Sequence, residues 1–118
     1  MTLKDTLYRI DSRYGGLFEI TMLEGHPVYE GHFPGNAVTP GVLTVAMVRE
    51  CASLEAGRQL VLSAIKNCRF TAMIRPAERL IMHLKLSQLV DGYQLAATIT
   101  GPGGDERLQL DATLKPEN

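Results

Sequence analysis

The stretch from residue 24 to residue 57, EGHPVYEGHFPGNAVTPGVLTVAMVRECASLEAG, carries the architecture of the chain. Its first half, residues 24–41, holds three prolines and four glycines, more punctuation than a plain connector needs in order to turn. Such a loop is expected to have a task of its own. The second half is an apolar run. Thr39 is expected to cap a helix and Pro40 to take its first position. The helix should pass through VLTVAMVRECASLEA and stop at Gly57, which suits the left-handed conformation beyond a helix end. Apolar side chains take up most of its circumference, broken only at Arg49, Glu50 and Ser53, so a mostly buried helix is predicted.

The flanks read as strands. Over residues 17–23, Phe18, Ile20 and Met22 alternate with Glu19 and Thr21. Leu80, Met82, Leu84 and Leu86 alternate in the same way, and Asp91-Gly92 then supplies a hairpin turn. Tyr93, Leu95, Ala97 and Ile99 follow, then the turn GPGG at residues 101–104, then Leu108, Leu110, Ala112 and Leu114. This is the pattern of an antiparallel meander. Residues 60–73 are long enough for one more strand, closed by the turn RPAE at residues 75–78. An amphipathic stretch precedes residue 17, and the polar tail 115–118 is expected to fray. One long helix against one antiparallel sheet is an α+β arrangement. A length of 118 residues leaves no room for a second core, so a single domain is expected over residues 1–118, with its core at about 17–114.

Composition excludes several classes. Hydrophobic residues at 45% and charged ones at 21% match an ordinary globular chain, not a disordered one. Twelve basic against thirteen acidic side chains leave no broad footprint for nucleic acid. The longest stretch free of Asp, Glu, Lys and Arg, residues 31–48, is interrupted by two prolines and three glycines, so no membrane span is expected. The opening MTLKDTLYRI lacks the layout of a secretory signal. Cys51 and Cys68 could form one bridge at most and are expected as reduced thiols in a cytoplasmic protein. No metal is expected, because three scattered histidines and two distant cysteines lack ligand spacing. A phosphate-cradling loop and a serine-nucleophile elbow are likewise missing from the sequence, and no cofactor is expected.

Gly31-His32-Phe33-Pro34-Gly35, followed by Thr39-Pro40-Gly41-Val42-Leu43, resembles the signature of the hotdog-fold 3-hydroxyacyl-[acyl carrier protein] dehydratases. The order of strand, histidine loop, central helix and sheet resembles that family too. So does Cys68-Arg69-Phe70 through Pro76-Ala77-Glu78, and the likeness covers about residues 17–114. It implies a hotdog fold and conversion of 3-hydroxyacyl thioesters to trans-2-enoyl thioesters, in fatty acid or polyene-type synthesis. It further implies an acyl carrier protein bearing a phosphopantetheine-linked chain as partner, and a homodimer or larger assembly with the acyl tunnel at the interface.

That chemistry needs a base for the proton beside the carbonyl, a donor for the enolate oxygen, and an acid for the departing hydroxyl. Imidazole ordinarily titrates near neutrality, which makes His32 the expected base. Gly41, at a helix start and without a Cβ, offers an amide and the positive end of the helix dipole to the thioester oxygen. The resemblance assigns Val38 as the carbonyl that orients His32, and Phe33, Val38 and Ala46 as residues along the substrate. In the family a helix carboxylate stands fourteen residues after the histidine and serves the opposite subunit; here that position is Ala46. Glu50 lies one turn, about 5 Å, further along the helix, and side chains lean back toward the N-terminus, so Glu50 is the expected substitute. His32 could instead make both transfers. Two other readings stand beside these: a non-catalytic or heteromeric acyl-binding subunit completed by a second hotdog chain, and a hotdog acyl thioesterase, which needs an activated water. Plainer roles are a simple helix-start glycine for Gly41, a salt-bridged surface residue for Glu50, backbone satisfaction for His26, and the polar face of a strand for His83. Arg58, Lys66, Arg69, Arg75 and Arg79 are solvated or dock an acidic carrier protein.

Overall fold

The structure is a computed structural model that describes residues 2–33 and 35–117; Pro34 of the quoted motif and Asn118 of the tail lie outside the described residues. Six strands form one antiparallel sheet: β1 (Tyr8–Tyr14), β2 (Leu17–Met22), β3 (Leu60–Phe70), β4 (Arg79–Leu89), β5 (Gly92–Thr100) and β6 (Glu106–Pro116). Their order across the sheet is β1-β2-β4-β5-β6-β3, which makes β1 and β3 the edges. A one-turn helix α1 (Val28–Gly31) and the 16-residue helix α2 (Gly41–Ala56) complete the chain. The expected α+β arrangement of one helix on one antiparallel sheet is what forms.

Alternation in the sequence fixes which face of the sheet is wet. Phe18, Ile20 and Met22 of β2, Leu80, Met82 and Leu84 of β4, and their counterparts on β5 and β6 all point to one side. Met47, Val48, Cys51 and Ala52 of α2 are buried in the same core cluster, giving one core between helix and sheet. The turn between β4 and β5 falls at Val90-Asp91, one residue before the expected Asp91-Gly92, because Gly92 already pairs with Leu89. α2 ends as expected: Gly57 adopts φ 72° and its N–H bonds back to the Leu54 carbonyl.

Four expectations change. The amphipathic stretch before residue 17 contains strand β1, whose alternation is masked by the charges at Arg9, Asp11 and Arg13 on a sheet edge. Residues 115–117 of the tail do not fray: Lys115 and Pro116 pair with Val61 and Leu60, and the Glu117 N–H reaches the Gln59 carbonyl. The helix is not mostly buried. The sheet covers only one of its faces, leaving Val42 75% exposed and Leu43, Val45 and Ala46 half-buried. The polar side chains expected to mark its wet face, Glu50 and Ser53, are instead buried. Strand β3 carries the opposite surprise. Its pairing with β6 slips twice, between Leu62 and Ala64 and between Ile65 and Asn67, and most of it is exposed at the sheet edge. No helix among the described residues is long and apolar enough to cross a membrane.

Candidate active site

The loop between α1 and α2 is closed by its own backbone. Val38 N–H donates to the His32 carbonyl at 2.9 Å, while Phe33 and Asn36 exchange amide-to-carbonyl bonds of 3.1 and 2.9 Å. This closure sets the histidine. His32 Nδ1 lies 3.2 Å from the Val38 carbonyl oxygen, the partner that the resemblance assigned to it. A carbonyl can only accept, so Nδ1 carries the hydrogen and Nε2 keeps a free lone pair. The Phe33 ring stacks on the imidazole, with centroids 4.1 Å apart and planes 25° from parallel.

The start of α2 abuts this loop. Leu43 and Thr44 amides both turn back to the Pro40 carbonyl, at 3.0 and 3.1 Å, and Gly41 is the first helical residue. The Gly41 amide, ahead of these two, has no acceptor inside the helix and sits at its positive end, so it can serve a ligand oxygen. Thr39 does not cap the helix. Pro40 takes the cap position without a side-chain bond, and the Thr39 hydroxyl pairs with the Tyr29 hydroxyl at 2.8 Å, closing the base of the histidine loop. The smallness of Gly41 has a second cause besides ligand approach: a Cβ there would stand 2.8 Å from Cζ of Phe70.

A cleft of about 430 Å³ opens beside these groups, with His32, Val38, Gly41 and Thr44 on one side and residues 70–74 on the other. The structure therefore brings together His32, Val38 and Gly41, three of the six expected site residues. Phe33 and Ala46 do not line the cleft, nor does Glu50. His32 is the one titratable side chain among the described residues that line it. The arrangement offers a base with a set tautomer, an amide donor, and apolar walls from Phe70, Met73 and Ile74.

Glu50 is placed elsewhere in its own chain, outside this cleft. Its carboxylate is buried and accepts from Leu3 N–H at 2.7 Å, Lys4 N–H at 3.1 Å and the Tyr8 hydroxyl at 2.8 Å. Arg49 stands 3.8 Å away. Through these three bonds the carboxylate holds the N-terminal segment against α2. Sequence spacing could not reveal that the N-terminal amides would claim it. Next to it, burial pushes the Cys51 thiol up to about 12, which makes it an inert core residue. His26 accepts the Val28 N–H through Nδ1 at 3.0 Å, and His83 is exposed on the outer face of β4.

Residues 12–100 match the ApeI-like family, described as ApeI dehydratase. The chain belongs to this family. Among curated relatives, the 3-hydroxyacyl-[acyl-carrier-protein] dehydratase FabZ of Lactiplantibacillus plantarum is 37% identical over 65 residues, 49% of this chain and 44% of that protein. FabZ of Pediococcus pentosaceus is 29% identical over 92 residues, 72% of this chain and 62% of its own length. The matches thus span less than two thirds of these relatives. Among solved structures, the dehydratase heterocomplex ApeI:P from Xenorhabdus doucetiae superposes with a TM-score of 0.69 at 15% identity, covering 92% of this chain and 93% of that one. The PaaI protein from the phenylacetic acid degradation operon of Escherichia coli gives 0.71 at 13% identity, over 98% and 83%. A hypothetical thioesterase from Streptococcus pneumoniae, solved with coenzyme A, gives 0.68 at 15%, over 94% and 86%. At such identities the likeness establishes the fold, which is the hotdog fold.

Proposed function

We propose that the chain dehydrates 3-hydroxyacyl thioesters carried on acyl carrier protein to trans-2-enoyl thioesters, with His32 as base and Gly41 N–H as oxyanion donor. The observation that carries this reading is the Nδ1 contact to Val38, which leaves Nε2 free at the edge of the cleft that holds the Gly41 amide. The thioester oxygen accepts from Gly41 N–H, which stabilises charge as the neighbouring carbon loses its proton. Nε2 takes that proton. The electron pair of the broken C–H bond becomes the new double bond, the C–O bond to the 3-hydroxyl breaks, and the departing oxygen takes a proton to leave as water. With no carboxylate among the described cleft residues, the imidazolium just formed returns that proton.

A second chain is the alternative source of acid. Ala46 stands where the family's cross-subunit carboxylate is expected, and Glu50 is engaged with the N-terminal segment. A partner hotdog subunit with its own carboxylate would complete the site that holds His32. The thioesterase reading has less support, because no described cleft residue other than His32 can activate a water.

The test uses the purified full chain with a 3-hydroxyacyl carrier substrate, product being followed by mass spectrometry. Enoyl product from the chain alone, reduced about 10²–10⁴-fold in His32→Ala, supports the solitary enzyme. Enoyl product only after adding a second hotdog protein supports the pairing. Free acid as the sole product overturns both in favour of hydrolysis.

A further inference from the structure

We infer that Arg107 is a positioning residue for this site, holding the 71–78 segment from which the His32 loop hangs. Arg107 lies on β6 and is only 8% exposed, a costly place for a charge unless its donors are all matched. Its three nitrogens make four hydrogen bonds, three of them to one short segment and the fourth to Asp105 just before β6. Nη1 donates to the Met73 carbonyl at 2.7 Å and to Glu78 Oε1 at 2.8 Å, Nη2 donates to Glu78 Oε2 at 2.8 Å, and Nε donates to Asp105 at 2.6 Å. The carbonyl of Arg107 also accepts the Thr71 N–H at 3.0 Å. One residue therefore fixes the segment near both of its ends. Gly101 supplies the room, because a Cβ there would occupy the space of the guanidinium.

The segment is in turn bonded to the histidine loop. The Ile74 carbonyl accepts the Thr39 N–H at 2.8 Å, and the Arg75 guanidinium donates to Asn36. Glu78 Oε1, which Arg107 holds, also accepts the Arg75 N–H at 2.7 Å and so fixes the turn that aims Arg75. Met73 and Ile74 form the cleft wall facing His32. Arg107 itself does not line the cleft and touches no reacting atom. Its bonds pass from β6 to the turn, and from the turn to Asn36 and Thr39, four and seven residues after His32. A lysine cannot replace it: one ammonium lacks the planar fork that spans two carboxylate oxygens and a carbonyl together.

The role in catalysis rests on the dehydratase reading, whereas the positional effect on His32 does not, and the experiment separates the two. Full-length Arg107→Lys and Glu78→Gln are compared with the wild-type chain by two-dimensional NMR of the histidine rings, His32 being identified by the signal missing from His32→Ala. At a temperature where circular dichroism shows all variants folded, the His32 ring signal should move and its titration midpoint shift, with His26 and His83 unmoved as internal controls. If Arg107→Lys does not fold, Glu78→Gln, which keeps size and loses half of the charged fork, decides. In the dehydration assay kcat should fall about tenfold or more, as expected when a catalytic group is displaced by a fraction of an ångström. A His32 signal and midpoint identical to wild type, with only the melting temperature lowered, would overturn the inference. A wild-type chain without dehydratase activity would count against the proposed reaction and leave the NMR result to judge Arg107.

Discussion

His32 becomes useful through what its other nitrogen does. With Nδ1 committed to the Val38 carbonyl, the ring that lines the cleft is held in one tautomer, and the Phe33 ring packed on the imidazole restricts its rotation. Gly41 shows the same economy. Because the three atoms nearest to a Cβ there all belong to the far end of the Phe70 ring, Gly41→Ala should preserve the fold while displacing that ring. The melting temperature should hold within a few degrees, since alanine also favours the helix. The specificity constant should fall by up to about 10²-fold, and Gly41→Ala with Phe70→Ala should recover most of it. No recovery in the double variant would mean that the methyl group obstructs substrate directly. His32 and Gly41 were legible in the sequence because loop punctuation and motif spacing are local. Phe70 over Gly41 was not, since that contact joins residues 29 positions apart through the slipped β3–β6 register.

At the scale of elements, α2 is tied at two places to segments its own pattern does not mention. Its N-terminus meets the turn after β3 through Thr39 and Ile74, and its middle is joined to residues 3–8 through the carboxylate of Glu50. Glu50→Ala leaves two amides and the Tyr8 hydroxyl without their acceptor in a buried place, and should cost about 2–3 kcal/mol in urea unfolding. Glu50→Gln keeps one acceptor oxygen and should cost less. Neither change should alter turnover measured well below the melting temperature. A Glu50→Gln chain of wild-type stability and lost turnover would restore the acid role to Glu50. Strands β2, β4, β5 and β6 were readable from period-two alternation because one face of each is buried and the other wet. β1 and β3 were harder because an edge strand is exposed on more than one side, which weakens the alternation.

At the scale of the molecule, the sheet is closed against its helix on one side but open at β3. Val42 on α2 is 75% exposed, and Ile65 and Phe70 on β3 are 50% and 48% exposed, Phe70 being also part of the cleft wall. An 11-residue edge with unpaired amides and carbonyls beside apolar side chains is a surface that pairs. Sedimentation at micromolar concentration should find the full chain as a dimer or larger. Ile65→Lys, which sets a charge in the middle of that edge, should shift it toward monomer with little change in the far-ultraviolet spectrum. A wild-type chain that sediments as monomer throughout would remove the homodimer from consideration. The single domain and its α+β class were legible from length and pattern, whereas the exposed half of α2 was not, because an apolar helix looks the same whether its own sheet or another chain covers it.

The β3 edge runs without interruption into residues 70–74, so whatever zips onto that strand also presses on the rim of the reaction chamber. Turnover per subunit should therefore climb as the chain is concentrated, and a change made purely to loosen association should be felt first as a poorer catalyst.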